Sequence, residues 1–277
     1  MPLHTGALHL IAVPYDSGRR NERMGAGPLA LLETGVAQEV NATVDIVELT
    51  PGTWPGEVQS AIQLSRHVAA RVRAARERGA FPLVLSGNCW PAAVGCVAAL
   101  PADTIYWFDA HADFNTPDTT PSGYADGTTL AAICGHCWKH VLTSIEGFTP
   151  VPESSVVLLG VRDLDLAEAA AIERGALTHI GVTNLQEALE KELSRRSNAA
   201  AYVHLDLDVL DPAEGKVNLY SAPGGLSLSQ LESALGAIIE TAPVQAIAFT
   251  AFDPSADPEQ RILRAGRRLI TRIAEMV

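Results

Sequence analysis

Lysine is nearly absent from this chain of 277 residues, where it occurs only at positions 139, 191 and 216. Arginine supplies almost all of the other positive charge. The 20 basic residues face 32 Asp and Glu, which gives a formal net charge of −12, and no Lys/Arg-rich tract offsets it. Nucleic acid and anionic membranes bind clustered positive charge, so this composition argues against both as partners.

Long apolar runs are also lacking. No segment approaches the roughly 18 apolar residues of a membrane-spanning helix. The apolar stretch 7–13 ends at Pro14, which argues against a signal peptide. We therefore expect a cytoplasmic protein, in which cysteines are thiols. The four cysteines are Cys89, Cys96, Cys134 and Cys137.

The composition, with 47% hydrophobic and 19% charged residues, is typical of a globular protein with a large core. Short β-rich runs alternate with helical stretches from end to end, which predicts an α/β fold with a parallel sheet covered by helices on both faces. We expect a single domain over 1–277. Strands are predicted at 8–13, 43–47, 82–85, 104–108, 155–159, 179–181, 202–205 and 246–250, and helices at about 56–79, 227–240 and 257–276.

Two acidic clusters stand where predicted strands end: Asp109-Ala110-His111-Ala112-Asp113 and Asp206-Leu207-Asp208. Residues i, i+2 and i+4 of a strand project to the same side, so each cluster can direct its polar side chains to one point. Four carboxylates that converge without cations would repel one another. Two ions that share bridging carboxylates would use all four. The sequence therefore predicts a two-metal hydrolytic site.

A polar segment rich in turn-forming residues, 112–127, begins inside the first cluster. Loops of this length are usually functional, and this one follows the carboxyl end of a strand, where open α/β sheets place their sites. Its hydroxyl and amide side chains suit an anionic group such as a carboxylate. A solvated loop without a binding role is the alternative.

Together these motifs resemble the ureohydrolase family, which includes arginase and agmatinase, over nearly the whole chain. The resemblance implies a three-layer α/β/α arginase-like fold with a central, mostly parallel eight-stranded sheet. It also implies two Mn²⁺ ions per chain, with Zn²⁺ as the alternative because one ligand is a thiolate. The implied ligands are Cys89, Asp109, His111, Asp113, Asp206 and Asp208, with Asp109 and Asp206 shared between the ions.

The resemblance further implies how a guanidino amino acid is held. Asn115, Thr120 and Ser122 match the arginase residues that bind the α-carboxylate. Asp165 and Glu168 match those that receive the α-amino group. Because agmatine has no α-carboxylate, retention of both sets favours an arginine-like α-amino acid.

Departures from the family pattern lie at the guanidino end. Cys89 replaces a metal-binding His, Ala251 a Glu that pairs with the guanidinium, Asp126 a loop His assigned to proton transfer, and Tyr124 a loop Asn. Loss of a buried charge partner costs about 3–5 kcal/mol, which penalises cationic arginine, whereas a less basic N-hydroxyguanidine can enter neutral. The pattern most resembles the family branch that hydrolyses Nω-hydroxy-L-arginine to L-ornithine and hydroxyurea in D-cycloserine biosynthesis.

The mechanism that this resemblance implies is attack of a metal-bridging hydroxide on the guanidino carbon. Asp126 is a candidate for proton transfer to the leaving amine or for a hydrogen bond to the hydroxyguanidino group, although an exposed Asp is ionised at neutral pH. The alternatives are hydrolysis of L-arginine or another guanidino acid, and an inactive homologue that binds an amino acid. We expect a monomer or a weak oligomer, because trimeric arginases often use a C-terminal extension that this sequence lacks.

One remaining motif is Cys134-Gly135-His136-Cys137, which matches the dithiol pattern of disulfide oxidoreductases. That pattern belongs at the start of a helix in a thioredoxin-like fold. Here it falls within or at the end of a predicted helical stretch, 128–142, of a larger protein. We therefore expect neither a redox site nor a structural zinc site there.

Overall fold

The structure, a computed structural model, describes residues 7–52, 56–100 and 102–277. The segment 1–6 therefore lies outside the described residues. Within the described part of the chain, no helix has the length and apolarity needed to cross a membrane. The strands are β1 Leu8–Val13, β2 Tyr15–Asp16, β3 Arg19–Arg20, β4 Thr43–Ile46, β5 Phe81–Ser86, β6 Thr104–Phe108, β7 Val156–Leu159, β8 Thr178–Ile180, β9 Ala201–Asp206 and β10 Val244–Thr250.

Eight of these strands form one parallel sheet in the order β4-β1-β5-β10-β9-β6-β7-β8, while β2 and β3 form a short antiparallel hairpin. The helices are α1 Gly27–Glu33, α2 Val36–Glu39, α3 Glu57–Glu77, α4 Cys89–Ala99, α5 Thr129–Ile133, α6 Lys139–Leu142, α7 Leu166–Arg174, α8 Leu185–Arg195, α9 Leu228–Thr241 and α10 Arg261–Met276.

The sheet is buried on both faces, as parallel sheets require. Apolar side chains of α3, α4 and α5 pack against one face and complete one hydrophobic core. Those of α1, α8, α9 and α10 pack against the other face and complete a second core. The three-layer α/β/α prediction is confirmed, and every pairing within the main sheet is parallel.

Two helical predictions need correction. The stretch 128–142 is divided into α5 and α6, because Gly135 and Trp138 both adopt left-handed φ values of 80° and 54° that a helix cannot contain. The last helix begins at Arg261 rather than near 257. The Asp257 carboxylate accepts the backbone N–H groups of Arg261 and Leu263, at 2.8 and 2.9 Å, and so fixes the start of α10.

The four central strands, β5, β10, β9 and β6, are neighbours whose carboxyl ends lie along one edge of the sheet. The chain that leaves these ends carries Cys89 after β5, Ala251 after β10, Asp206 at the end of β9 and Asp109 after β6. Open α/β sheets place ligands at this edge. The fold thereby brings together residues that lie as much as 162 positions apart in the sequence, the separation between 89 and 251.

Candidate active site

The six predicted metal ligands converge at this edge. Donor atoms of Cys89, Asp109 and Asp113 lie within 4.8 Å of one another, as do those of Asp109, His111 and Asp208. Asp109 is common to both groups. Asp206 lies beside them, because the Cys89 Sγ is 3.3 Å from its Oδ2. Its Oδ1 accepts the Asp208 backbone N–H at 2.8 Å.

Local backbone geometry turns the first acidic motif inward. The Asp109 Oδ1 accepts the His111 N–H at 2.7 Å, and its Oδ2 accepts the Trp107 indole N–H at 3.0 Å. Asp113 adopts a left-handed φ of 49°, which is uncommon for a residue with a side chain. Its carbonyl accepts the N–H groups of Leu130 and Ala131 at the start of α5. These contacts fix the orientation of the Asp109 carboxylate and the backbone position of Asp113.

Burial dominates the electrostatics of this cluster. It raises the pKa of Asp109 to about 6, and it raises the pKa values of Asp113 and Asp206 well above their usual range, with neighbouring carboxylates adding to the effect. Burial opposes protonation of His111, but Asp109 and Asp208 outweigh it and raise the His111 pKa to about 10. The cluster thus has a strong deficit of positive charge.

No Lys or Arg of the described residues forms an ion pair with Asp109, Asp113, Asp206 or Asp208, and His111 pairs only with Asp109 and Asp208 among them. Buried carboxylates without cationic partners are costly. A set of carboxylates, one imidazole and one thiol fits divalent cations such as Mn²⁺ or Zn²⁺. The residues present therefore fit a two-metal centre.

We predict that Mn²⁺ stabilises the metal-free protein more at pH 8 than at pH 5. The folded-state pKa of Asp109 is raised to about 6 from its usual 3.8. Protonated Asp109 therefore contributes fully to the stability of the metal-free protein below about pH 4. This contribution is lost as the pH rises through about 6, where a cation can replace the proton.

Metal at a hundredfold excess over its Kd contributes about 2.7 kcal/mol, or a rise of roughly 5–10 °C in Tm for a chain of this size. Thermal unfolding with and without Mn²⁺ at the two pH values measures the difference. Equal increments at both values would contradict the prediction.

A cavity of about 290 Å³ opens onto this cluster. The predicted amino-acid-binding residues line it together with five of the six predicted metal ligands, all except Asp109. Asn115 and Asp165 are joined by a hydrogen bond of 2.9 Å, and the Thr120 and Ser122 hydroxyls lie 3.3 Å apart. The lining residues from the predicted set are Asn115, Thr120, Ser122, Asp165 and Glu168.

The N-terminus of α7 holds the acidic half of this group. Asp165 and Glu168 form a reciprocal capping box, in which each side chain accepts the other residue's backbone N–H. The second Glu168 oxygen accepts the Phe114 N–H at 2.9 Å. That bond ties α7 to the loop that carries Asn115. The structure thus places all five predicted substrate residues in one cavity.

Two tyrosines line the cavity: Tyr124, which stands where the family pattern has an Asn, and Tyr220, which sequence reasoning missed. Tyr124 and Tyr220 stack with ring centroids 6.1 Å apart. The Tyr124 hydroxyl donates to Asp16 Oδ1 at 3.1 Å. Arg23 donates to the Tyr220 hydroxyl at 2.9 Å and lies 3.4 Å from Asp16 Oδ2. This closed ring of contacts joins three segments of the chain beside the cavity.

Asn218 is another residue that sequence reasoning missed. It is a buried residue of the cavity lining, and its Nδ2 donates to Asp208 Oδ2 at 3.2 Å and to the Ala251 carbonyl at 3.0 Å. Ala251 has a left-handed φ of 64°. Asn218 thus orients one predicted metal ligand and holds the backbone at the position where the family pattern has a Glu.

Asp126 is buried, whereas the sequence analysis treated it as an exposed Asp that is ionised at neutral pH. Only 7% of the residue is accessible. Its Oδ2 accepts hydrogen bonds from Asn88 Nδ2 at 2.9 Å and the Cys89 N–H at 3.0 Å, while its Oδ1 accepts the Trp90 N–H at 2.8 Å. Burial raises its pKa to about 7 against these hydrogen bonds.

Asp126 therefore caps α4 from a distant loop, next to Cys89. We predict that Asp126→Ala lowers turnover about tenfold and displaces Cys89, because a lost cap costs about 1 kcal/mol and releases the first turn of the helix. Asp126→Asn keeps one acceptor oxygen and should retain more activity. Full turnover of Asp126→Ala across the pH profile would leave Asp126 with neither a proton-transfer nor a positioning role.

The Cys134–Cys137 motif lies in the turn between α5 and α6. Both cysteines are free and partly buried, and burial raises the pKa of Cys137 to about 11. His136 pairs with Glu153 at 2.7 Å. These residues lie outside the set that lines the cavity.

Comparison with known proteins identifies the family. A model of the arginase family matches residues 7–275. The chain belongs to the arginase family. It is therefore a hydrolase that acts on amidine C–N bonds, in a family whose members use a dinuclear metal site.

Individual relatives within the arginase family are distant in sequence, but they match this chain over nearly its whole length. An arginase from Bacillus caldovelox is 29% identical in an alignment 284 residues long, gaps included. The alignment covers 92% of this chain and 93% of the relative. The crystal structure of arginase from Bacillus subtilis has a TM-score of 0.84 at 25% identity and covers 97% and 98% of the two chains. An Entamoeba histolytica arginase in complex with L-ornithine shares the fold, with a TM-score of 0.83 at 19% identity and coverage of 98% and 99%.

Proposed function

We propose that this arginase-family enzyme hydrolyses Nω-hydroxy-L-arginine to L-ornithine and hydroxyurea. The proposal rests on one observation. Every carboxylate in the described lining of the cavity already has another partner, so none is left to pair with a guanidinium. Ala251 lines the cavity beside the predicted ligands. The acidic lining residues are Asp113, Asp126, Asp165, Glu168, Asp206 and Asp208.

Each of these acids has another partner. Asp113, Asp206 and Asp208 belong to the metal cluster, and Asp165 with Glu168 is assigned to the α-amino group. Asp126 accepts three hydrogen bonds at the start of α4. A guanidinium cation in this cavity would be desolvated without a carboxylate of its own. A neutral N-hydroxyguanidine avoids that cost.

The chain's own residues bind and orient the substrate. Asn115, Thr120 and Ser122 hold the α-carboxylate, and Asp165 with Glu168 receives the α-amino group. Two Mn²⁺ ions, or Zn²⁺ as the alternative, would be held by the six predicted ligands and would supply an activated water and an electrophile. Water adds to the guanidino carbon, the bond from that carbon to the ornithine nitrogen breaks, and that nitrogen takes a proton.

We predict an order of substrates that follows from these contacts. Nω-hydroxy-L-arginine should have the highest kcat/KM, with L-arginine lower because Ala251 offers no charge partner. Agmatine should be lowest, because it lacks the α-carboxylate. Each missing interaction is worth a few kcal/mol, so differences of roughly a hundredfold or more are expected. Release of the amine product from the three compounds on manganese-loaded protein decides the order, and equal turnover of L-arginine would overturn it.

L-Arginine is the second candidate substrate, because the relatives named above are arginases. An inactive amino-acid-binding homologue would show substrate binding without turnover in the same assay. A monomer or a weak oligomer stays the prediction for assembly. Light scattering at micromolar concentration tests it, and a stable trimer would contradict it.

A further inference from the structure

A chain of polar side chains runs beneath Cys89 on the two neighbouring strands β9 and β10. The Tyr202 hydroxyl lies 2.9 Å from His204 Nδ1, and His204 Nε2 lies 3.3 Å from Thr250 Oγ1. Thr250 Oγ1 lies 3.2 Å from Cys89 Sγ. None of the four residues is more than 2% accessible. Water therefore does not compete for these hydrogen bonds.

The His204 ring is held in one plane. It stacks on Trp107 with centroids 3.7 Å apart and an interplanar angle of 10°. The Trp107 indole N–H donates in turn to Asp109 Oδ2 at 3.0 Å. The ring is fully buried, and its two nitrogens face hydroxyl groups, Tyr202 at Nδ1 and Thr250 at Nε2. One ring nitrogen therefore donates and the other accepts.

The direction of these hydrogen bonds follows from the proton count. If Tyr202 donates to Nδ1, then Nε2 carries the hydrogen and donates to Thr250, whose own hydrogen remains free to be donated. In the reverse direction Thr250 donates to His204 Nε2 and has no hydrogen left for Cys89, and the Tyr202 hydroxyl turns to its other neighbour, Cys96. A sulfur that ligates a cation has lost its proton and can only accept, so the first direction is the one that gives it a hydrogen bond.

The Thr250 hydrogen has two possible acceptors. Cys89 Sγ at 3.2 Å is a normal contact, because sulfur is a large atom. Asp206 Oδ2 at 3.4 Å is longer than the roughly 2.5–3.0 Å of O–H···O hydrogen bonds. The geometry therefore directs the hydroxyl to the sulfur.

We propose that Tyr202, His204 and Thr250 form a relay that gives the Cys89 sulfur a fixed hydrogen bond and thereby tunes the sulfur–metal bond. The three are positioning residues that act through Cys89, and the inference rests on the proposed role of Cys89 as a ligand. Groups that hydrogen-bond to metal ligands typically affect metal affinity by roughly 10–100-fold. A hydrogen bond also lowers the energy of the sulfur lone pairs, so its loss shifts sulfur-to-metal charge transfer to lower energy.

The test uses protein loaded with Co²⁺ alone, in which a thiolate ligand produces a charge-transfer absorption. Thr250→Val removes the hydroxyl at nearly constant volume, and Thr250→Ser restores it as the matched control. We expect the band of Thr250→Val to move to lower energy and its Co²⁺ affinity to change by roughly tenfold. Thr250→Ser should resemble the unmodified protein. Tyr202→Phe should give a smaller shift in the same direction, because the His204 tautomer is no longer fixed.

Cys89→Ser separates failure of the relay from failure of the ligand assignment. A band that disappears in Cys89→Ser but stays unchanged in Thr250→Val and Tyr202→Phe would overturn the relay and leave Cys89 as a ligand. A Co²⁺ complex without any thiolate band would overturn both. Circular dichroism and Tm of each variant verify that it is folded, and turnover of the guanidino substrates remains an independent test of the proposed function.

Discussion

Replacing Asp109 with Asn should abolish metal binding and turnover together. Asp109 is the residue common to both groups of candidate donor atoms, so its charge acts on both metal positions. Asn keeps one acceptor oxygen for Trp107 or His111 but removes that charge. Loss of a group that only supports a metal ligand costs roughly 10–100-fold, and loss of a shared ligand should cost more than a hundredfold. Elemental analysis and kcat/KM on the same sample measure both effects.

Asp211→Asn is the matched control for this change. Asp211 ends the same acidic motif, but its carboxylate accepts the backbone N–H groups of Ala213, Gly224 and Gly225. It lies outside the metal cluster and the cavity lining. The control should retain two metal ions per chain and lose less than about tenfold in kcat/KM, because it weakens only backbone hydrogen bonds, worth about 1 kcal/mol each, and leaves the metal cluster intact. If Asp109→Asn also retained two ions and normal turnover, the proposed metal centre would be wrong.

The position of the metal cluster was predictable because it depends on local rules. Asp109 and Asp206 each come at the end of an apolar run with strand periodicity, and parallel strands end at a common edge of the sheet. Strand alternation does not explain the other ligands, because His111 and Asp208 lie beyond β6 and β9, in a loop and a 3₁₀ turn. Local hydrogen bonds from their backbone N–H groups to Asp109 Oδ1 and Asp206 Oδ1 place them instead. Nothing in these steps requires knowledge of which strands are neighbours, provided that the sheet is parallel.

The surroundings of the cluster depend on contacts that no local rule contains. Asn218 reaches Ala251 across 33 positions, and Tyr124 reaches Asp16 across 108. An Asn in a turn-rich segment is usually a solvated turn residue, so its burial in the cavity lining has no signal in the sequence. Asp126 was expected to be exposed for the same reason. Its burial depends on partners at the start of α4, which it meets only when the loop packs against the helix.

The division of the predicted helix 128–142 has a similar origin. Leu130 and Ile133 have helical periodicity and are buried. The chain then turns at Gly135, which lies against Pro150: a Cβ at that glycine would be 3.1 Å from the Pro150 Cβ. Glycine permits both the close approach and the left-handed turn. Tertiary packing therefore decides the end of α5.

Replacing Ala251 with Glu should increase the kcat/KM for L-arginine by roughly 10–100-fold, because a buried carboxylate would then pair with the guanidinium. Ala251 lines the cavity, and only 4% of it is accessible. Its left-handed backbone already carries a Cβ, so a longer side chain adds little backbone strain. Neutral Nω-hydroxy-L-arginine gains no ion pair and must share the cavity with a larger side chain. The preference between the two substrates should therefore move towards L-arginine.

Ala251→Gln separates charge from shape in this experiment, because it has nearly the same volume as Glu and no ionisable group. A carboxylate that pairs with a cation stabilises bound arginine, whereas an amide offers only a neutral hydrogen bond, which contributes less than one to a charged group. Steady-state kinetics of both variants with both substrates should therefore show the gain for L-arginine in Glu and not in Gln. Equal gains would assign the effect to cavity shape. An unchanged preference in Ala251→Glu would mean that the missing charge partner does not determine the substrate, and L-arginine would then become the leading candidate.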